Sequence, residues 1–293
     1  MYAIEISGLT KLYRSRRFKS HVAVNDLNLN VASGEVFGFL GPNGAGKSTT
    51  IKSIVGLIKP NAGKITICGI QSTNPASRQK VGYLSENPSF YDYLSAREYL
   101  NLVGEIFGLS SKRIASEAER IFAMLDLSEV ADKPMRIYSK GMVQRVGIAQ
   151  ALLHDPDVYI LDEPMSGLDP LGRALVKDII VDLKKRGKCI FFSTHITSDV
   201  ERVCDRVGII QRGELRLVDS VEDILSRGIT GYTVRFIRAG VAGHEEIFAD
   251  NKEFGRFVAE IEASGAEITM VEPVRKSMED LFLEIVKGGN AIA

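Results

Sequence analysis

An α/β chain is what this sequence predicts, and three stretches predict it. Glu35 to Leu40 (EVFGFL) and Val158 to Pro164 (VYILDEP) are short apolar runs of strand length. The segment TTIKSIVGLI between them sets Ile51, Ile54, Val55 and Ile58 at helical spacing. Strands alternating with amphipathic helices define the class.

The first of these strands feeds GPNGAGKST, Gly41 to Thr49, in which two glycines separated by four residues are followed by Lys and Ser. A triphosphate must be wrapped at close range by backbone N–H groups, so Gly41, Gly44 and Gly46 supply conformational freedom and the absence of a Cβ. Lys47 then reaches the β- and γ-phosphates and Ser48 ligates Mg²⁺. A strand entering a glycine loop that opens a helix is an anion site. Gly41, Pro42, Asn43, Gly44, Ala45, Gly46, Lys47, Ser48 and Thr49 are therefore candidate nucleotide-binding residues, and a nucleoside triphosphate is the expected ligand.

With 293 residues there is room for one large domain, or for one large and one small. Lys plus Arg and Asp plus Glu are 37 each, so nothing global points to nucleic acid as a partner. Cys68, Cys189 and Cys204 lie far apart, which argues against a zinc site and a disulfide scaffold and fits a reducing cytosol. Neither a secretory leader nor an apolar run approaching the ~18 residues of a membrane helix is visible. A chain neither secreted nor spanning a membrane by itself is the expectation.

VYILDEP ends an apolar strand in two carboxylates. Asp162 can hold Mg²⁺ through water and Glu163 can polarise an attacking water, although two acids at a strand end also suit an ordinary turn. Placed downstream of a phosphate-binding loop, they are what a hydrolase requires.

Between the two blocks lies YSKGMVQRVGIAQAL, Tyr138 to Leu152, which resembles the signature of the ATP-binding cassette ATPases. That signature is Leu-Ser-Gly-Gly-Gln followed by a helix. Ser139 and Gly141 match it, whereas Lys140 and Met142 depart from it, and a Ser-capped helix start is the plain structural equivalent. Further matches follow in order: Asp169 in SGLDP with the family's D-loop aspartate, and His195 in FFSTHI with the histidine that contacts the γ-phosphate. Tyr13 matches the aromatic that stacks on adenine, with Phe18 close by. In VGYLSEN, Glu86 stands where the family has a glutamine that senses Mg²⁺ and the attacking water; a carboxylate still offers oxygen to a hard cation, at the cost of an added charge, and a plain solvated loop residue is the alternative.

The resemblance covers about Met1 to Leu217 and implies the following. The fold is a P-loop NTPase core with an antiparallel β subdomain, an inserted helical subdomain at about 87–150 and a small C-terminal α+β domain. The cassette is 1–217, a linker helix 218–229 and the accessory domain 230–293. ATP and Mg²⁺ are the ligands, with Glu163 and His195 catalytic and the metal near Ser48, Glu86 and Asp162. Ser139, Lys140, Gly141 and Met142 would cover the γ-phosphate of ATP held by a second chain, a copy or a paralogous cassette, so two chains pair head to tail. A separate transmembrane permease is implied, docked near Pro88 to Tyr93, with this chain peripheral on the cytoplasmic side.

The residues themselves bear on the subdivision. Asn87 to Lys133 is rich in helix formers, with Leu100, Val103, Ile106 and Phe107 at helical spacing. DSVEDILSRG reads as a closing helix with a glycine stop. In the tail, YTVRFI and AEITMV read as strands, and Phe254, Phe257, Val258, Ile261, then Met278, Leu281, Phe282, Ile285 and Val286, mark two amphipathic helices. Acidic residues outnumber basic ones from Thr230 to Ala293, so neither nucleic acid nor acidic lipid is an obvious partner of the tail. A tail of this pattern resembles the extension of drug-, polysaccharide- and sodium-exporter cassettes. By contrast, KLYRSRRFK carries Lys11, Arg14, Arg16, Arg17 and Lys19 and reads as a solvated loop, with contact to an anionic leaflet or to nucleotide phosphates as the alternative.

Two functions compete: the ATPase subunit of a multi-subunit membrane exporter, and a soluble ATPase of the same family in DNA repair or translation. Soluble members usually carry two cassettes, a coiled coil or zinc modules, none of which this sequence displays. A phosphoryl-transfer enzyme on the same loop is a third, weakened by the Ser139 to Met142 block and His195. The aromatics of ENPSFYDY, Phe90 and Tyr91 among them, either bury against a partner or pack on the chain's own helices.

Overall fold

The chain, as a computed structural model, is described at residues 1–14, 20–238, 241–248 and 251–288. Two compact units divide it, Met1–Val218 and Asp219–Ala293. Of the basic run, Arg16, Arg17 and Lys19, with Phe18 among them, lie outside the described residues.

In the first unit, β1 (Tyr2–Arg14) and β2 (Ser20–Ala32) form a long antiparallel hairpin. Its alternating Ile4, Ile6, Leu27, Leu29 and Val31 face the core. The expected loop KLYRSRRFK therefore begins inside a strand, because Lys11, Leu12 and Tyr13 pair with Val24, Val22 and His21. The chain continues through β3 (Val36–Leu40), α1 (Lys47–Ile54), β4 (Ala62–Ile67), β5 (Ile70–Gln71) and β6 (Val81–Leu84). Three helices follow, α2 (Ala96–Ile106), α3 (Ser111–Met124) and α4 (Lys140–Leu152). The rest is β7 (Val158–Asp162), α5 (Pro170–Lys185), β8 (Cys189–Thr194), α6 (Thr197–Val203), β9 (Arg206–Gln211) and β10 (Glu214–Ser220).

Two sheets result. One has the order β2-β1-β4-β5, its neighbours all antiparallel. The other runs β10-β9-β3-β8-β7-β6, with β9, β3, β8, β7 and β6 parallel to their neighbours. Every side chain of β3, β7 and β8 is buried, as unbroken apolar runs in a doubly covered parallel sheet must be. Phe37 stacks on Phe191 at 5.6 Å between ring centres and holds β3 beside β8.

The helical portion shares its core with one face of the parallel sheet: Leu100, Ile121, Phe122 and Leu127 are fully buried in one cluster with Leu161, Ile180 and Phe192. Ser95 and Glu98 close a capping box that starts α2. Arg97 is ion-paired to Glu119 on α3 and to Asp132, at 2.7 Å from the latter. The aromatics of ENPSFYDY divide. Phe90 packs on this core with its ring 4.7 Å from Tyr99, whereas Tyr91 and Tyr93 are 61% and 64% exposed.

The second unit opens with α7 (Val221–Arg227), capped by Ser220 and stopped at Gly228. The predicted linker helix thus loses its first three residues, 218–220, to β10. A three-stranded antiparallel sheet of order β12-β11-β13 follows, from β11 (Ile229–Arg238), β12 (Val241–Phe248) and β13 (Glu267–Arg275). The tail therefore has one strand more than expected. Gly243, Glu245 and Glu246 interrupt any apolar alternation in β12, which is set by pairing with β11, Gly231 opposite Phe248. The anticipated helices are α8 (Asn251–Ala263) and α9 (Met278–Gly288). Ile261 of α8 and Met278, Leu281 and Ile285 of α9 are buried, and Tyr232 stacks on Phe254 at 4.4 Å.

Candidate functional site

Three adjacent parallel strands deliver the site at their C-terminal ends, where open α/β sheets bind ligands. From β3 comes the loop Gly41–Gly46, from β7 the pair Asp162 and Glu163, and from β8 the run Ser193, Thr194, His195. Register brings them together: Leu40 lies opposite Thr194, and Asp162 opposite Ser193. Gly41 N–H donates to Thr194 O at 3.3 Å and ties the loop to the neighbouring strand.

Close backbone approach explains the glycines that matter most. A Cβ on Gly41 would sit 2.4 Å from Ile210 O, and one on Gly46 would sit 2.5 Å from Ala23 O. Gly46 also has φ +113°, where it serves as N-cap of α1, and it offers that cap no side-chain acceptor. The first N–H groups of α1 are thus without a protein side-chain partner at the cap. Gly46→Ala should destabilise the protein by about 1–3 kcal/mol, since it meets both the clash and the positive φ. Thermal unfolding of the purified variant checks this.

Lys47 is 6% exposed and donates from Nζ to Gly41 O at 2.7 Å, with Pro42 O at 3.4 Å. Its Nζ also stands 3.4 Å from Glu163 Oε1. The other oxygen of that carboxylate, Oε2, is 3.0 Å from Nδ1 of the half-exposed His195. One glutamate therefore joins the phosphate-loop lysine to the strand-end histidine. Its backbone is unusual, with φ +50° in a non-glycine residue.

Asp162 is fully buried. Ser193 Oγ donates to its Oδ1 at 2.5 Å and accepts from Glu163 N–H at 3.0 Å, so one hydroxyl sets the spacing of the two acids. Burial pushes the Asp162 carboxyl above its usual range, opposed by the hydroxyls of Ser193 and Ser48. Asp162 Oδ2 is buried without a hydrogen-bond partner. A buried, unpartnered carboxylate oxygen beside a serine hydroxyl is a donor set that suits Mg²⁺, which binds through one or two protein oxygens and completes its shell with phosphate and water.

A cavity of about 320 Å³ is lined by Tyr13, His21, Asn43, Gly44, Gly46, Lys47, Ser48, Thr49, Glu86 and Glu163. Tyr13 is 40% exposed with Lys11 Nζ 5.2 Å from its ring centre, and Glu86 is exposed at the cavity wall. The structure thus gathers Tyr13, the phosphate loop, Glu86 and Glu163 around one space, with His195 bonded to Glu163 and the buried Asp162 preceding Glu163 in the chain. Ser139, Lys140, Gly141 and Met142 do not line that space. Ser139 is exposed and caps α4, its Oγ accepting from Met142 N–H at 3.2 Å, and Gly141 faces Gly167 and Leu168. Asp169 caps α5 through Gly172 N–H at 2.9 Å, with Arg145 of α4 4.0 Å away. Sequence reasoning missed Ser193 and Gln144. A polar residue ending the apolar run FFST draws the eye to Ser193, whereas Gln144 carries no such signal, because its burial as the one buried polar side chain of α4 shows only in the fold.

Comparison with known proteins agrees with this geometry. A family model described as ABC transporter matches residues 24–166. An uncharacterised ABC transporter ATP-binding protein of Nostoc is 40% identical over 96% of this chain and 89% of its own length. Another, of Synechocystis, is 45% identical over 79% of this chain, which spans 66% of that relative. The Nod factor export ATP-binding protein I of Rhizobium johnstonii is 38% identical over 72% of this chain and 67% of its own. Among solved structures, an ATP-binding subunit of an ABC transporter superposes with TM-score 0.73 at 28% identity, covering 97% of this chain and 99% of that one. A dimeric ATP-binding cassette in a post-hydrolysis state, bound to ADP and Pi, gives 0.69 at 25% identity, over 74% of this chain and 98% of that one.

Proposed function

This chain belongs to the family of ABC transporter ATP-binding proteins, which are ATPases, and from that membership we propose that it powers an exporter as a peripheral subunit paired head to tail with a second cassette. The observation that carries the pairing is the division of the site. Lys47, Glu163 and His195 meet within one chain, whereas Ser139 to Met142 lie outside the cavity they would serve. The start of α4 suits an anion brought by another chain, because a helix N-terminus favours negative charge and this one is flanked by the exposed Ser139 and Lys140. The dimeric, ADP- and Pi-bound cassette is consistent with this reading, and the Nod factor export named for the Rhizobium relative supports export.

In the reaction, ATP would lie with its phosphates on the loop Gly41–Thr49 and its base toward Tyr13. Ser48, Asp162 and Glu86 would hold Mg²⁺, which when bound neutralises phosphate charge and fixes the γ-phosphate for in-line attack. Lys47 Nζ, already close to the loop carbonyls, would bind the β- and γ-phosphate oxygens. Glu163 would accept the proton of the attacking water while His195, hydrogen-bonded to it, orients the carboxylate and reaches the γ-phosphate.

Among the described residues no helix is long and apolar enough to cross a membrane. A separate permease would supply that part, docked where Tyr91 and Tyr93 stand out with their rings 5.7 Å apart. Tyr91→Ala should leave ATP hydrolysis by the purified chain near normal and lower co-purification with a membrane protein from cells. Full association in the Tyr91→Ala, Tyr93→Ala double variant would remove this segment from the interface. Phe90→Ala acts differently: its ring packs on Tyr99 and the helical core, so it should cost about 1–3 kcal/mol of stability, read as a lowered Tm.

A further inference from the structure

We infer that Gln144 is a positioning residue that ties the signature helix to the catalytic carboxylate, an assignment that rests on Glu163 being the base. Gln144 stands in α4, one helical turn and a half after the Ser139 cap, and is 3% exposed. Its Nε2 donates to Glu163 O at 3.3 Å and to Pro164 O at 3.2 Å. Both partners are carbonyls, so the amide must turn its amino group, not its oxygen, toward the loop.

Glu163 is thereby gripped along its backbone from two sides. Its N–H donates to Ser193 on β8, and its C=O accepts from Gln144 on α4. Between these tethers the residue holds φ +50°, a conformation a glutamate keeps only where its surroundings over-determine it. Strand and helix together therefore aim the side chain that meets Lys47 and His195. The strand tether is internal to the sheet. The helix tether is not: α4 also carries Ser139, Gly141 and, through Arg145, a contact toward the Asp169 cap. Any displacement of α4 when its N-terminal end meets a ligand moves Nε2 against the two carbonyls and so turns Glu163. Gln144 is the side chain through which engagement of the signature becomes alignment of the base.

Two substitutions in the full-length chain test this. Gln144→Met keeps the length but removes both donors, and Gln144→Asn keeps the amide but draws it back by one methylene. Turnover per folded molecule is measured beside binding of a fluorescent ATP analogue and the melting temperature. Misaligning a catalytic group by a fraction of an ångström to an ångström lowers kcat about tenfold to hundredfold, while the analogue's Kd should stay within about twofold because the phosphate loop is untouched. An amide that merely satisfied buried carbonyls would lower the melting temperature and leave kcat of the folded fraction at the wild-type value, and that result in either folded variant overturns the inference. If Gln144→Met does not fold, Gln144→Asn decides alone. Glu163→Gln is run in parallel: wild-type turnover there removes the base itself, whereas an inactive Glu163→Gln beside fully active Gln144 variants removes only the coupling.

Discussion

Glu163→Gln should cut ATP hydrolysis by about 10²–10⁴-fold while nucleotide binding persists. The substitution is close to isosteric, so the contacts of Oε1 toward Lys47 and of Oε2 toward His195 can be replaced by an amide that fills the same space. What disappears is the charge and the basic lone pair. In the proposed reading ATP meets the protein mainly through the phosphate loop and Lys47, and the removal of a nearby negative charge favours a polyanion there. Hydrolysis in the purified variant at a rate within tenfold of wild type would remove Glu163 from the chemistry. Binding should be read separately, by fluorescence of a labelled ATP, because a variant that neither binds nor turns over has lost its fold instead.

The same variant reports on assembly. If the γ-phosphate is covered by Ser139 and Gly141 of another chain, slow hydrolysis leaves the paired state populated, and Glu163→Gln with Mg-ATP should elute and scatter as a dimer. Wild type without nucleotide should be mostly monomeric. A mass that does not respond to ATP contradicts the shared site, unless the contact lies in the second unit, and truncation after Gly228 separates the two cases.

Much of the candidate site was legible because its determinants are local. A strand, a glycine loop and a helix start are contiguous from Val36 to Ile54, and their chemistry is set by spacing along the chain. Asp162 and Glu163 are legible for the same reason, at the end of an apolar strand. Ser193 is different in kind. Its hydroxyl serves Asp162 and Glu163 only because β8 pairs in parallel with β7 in the register that sets Ser193 opposite Asp162. Gln144 likewise acquires its partners from the packing of α4 on the loop after β7. Neither relation is written in the residues flanking these positions. Strand β12 and the reach of β1 to Arg14 were hidden for a related cause, since pairing with a neighbour imposed an extended backbone on segments whose own composition reads as loop.

Lys47→Ala should abolish measurable ATP binding, and the structure indicates how large the loss must be. Nζ already stands at the centre of the loop, donating to Gly41 O and Pro42 O, so it can turn onto phosphate oxygens with little rearrangement. A hydrogen bond to a charged partner contributes about 1.5–3 kcal/mol, and contacts to both the β- and γ-phosphates together amount to about 3–6 kcal/mol, two to four orders of magnitude in affinity. A second effect acts in the same direction. With Lys47 gone, the Glu163 carboxylate at the cavity wall loses its cation, and the triphosphate would approach that carboxylate unscreened. The ion pair's loss also leaves a nearly buried carboxylate dependent on His195, so the ligand-free variant should melt below wild type. Ligand linkage separates these consequences. At ATP concentrations one hundred times its Kd, wild type gains about 2.7 kcal/mol of stability, which raises Tm by several degrees in a domain of this size. Lys47→Ala should show no ATP-dependent rise at that concentration, whatever its starting Tm. A wild-type thermal shift in this variant would mean that the nucleotide is held elsewhere than on the loop Gly41–Thr49.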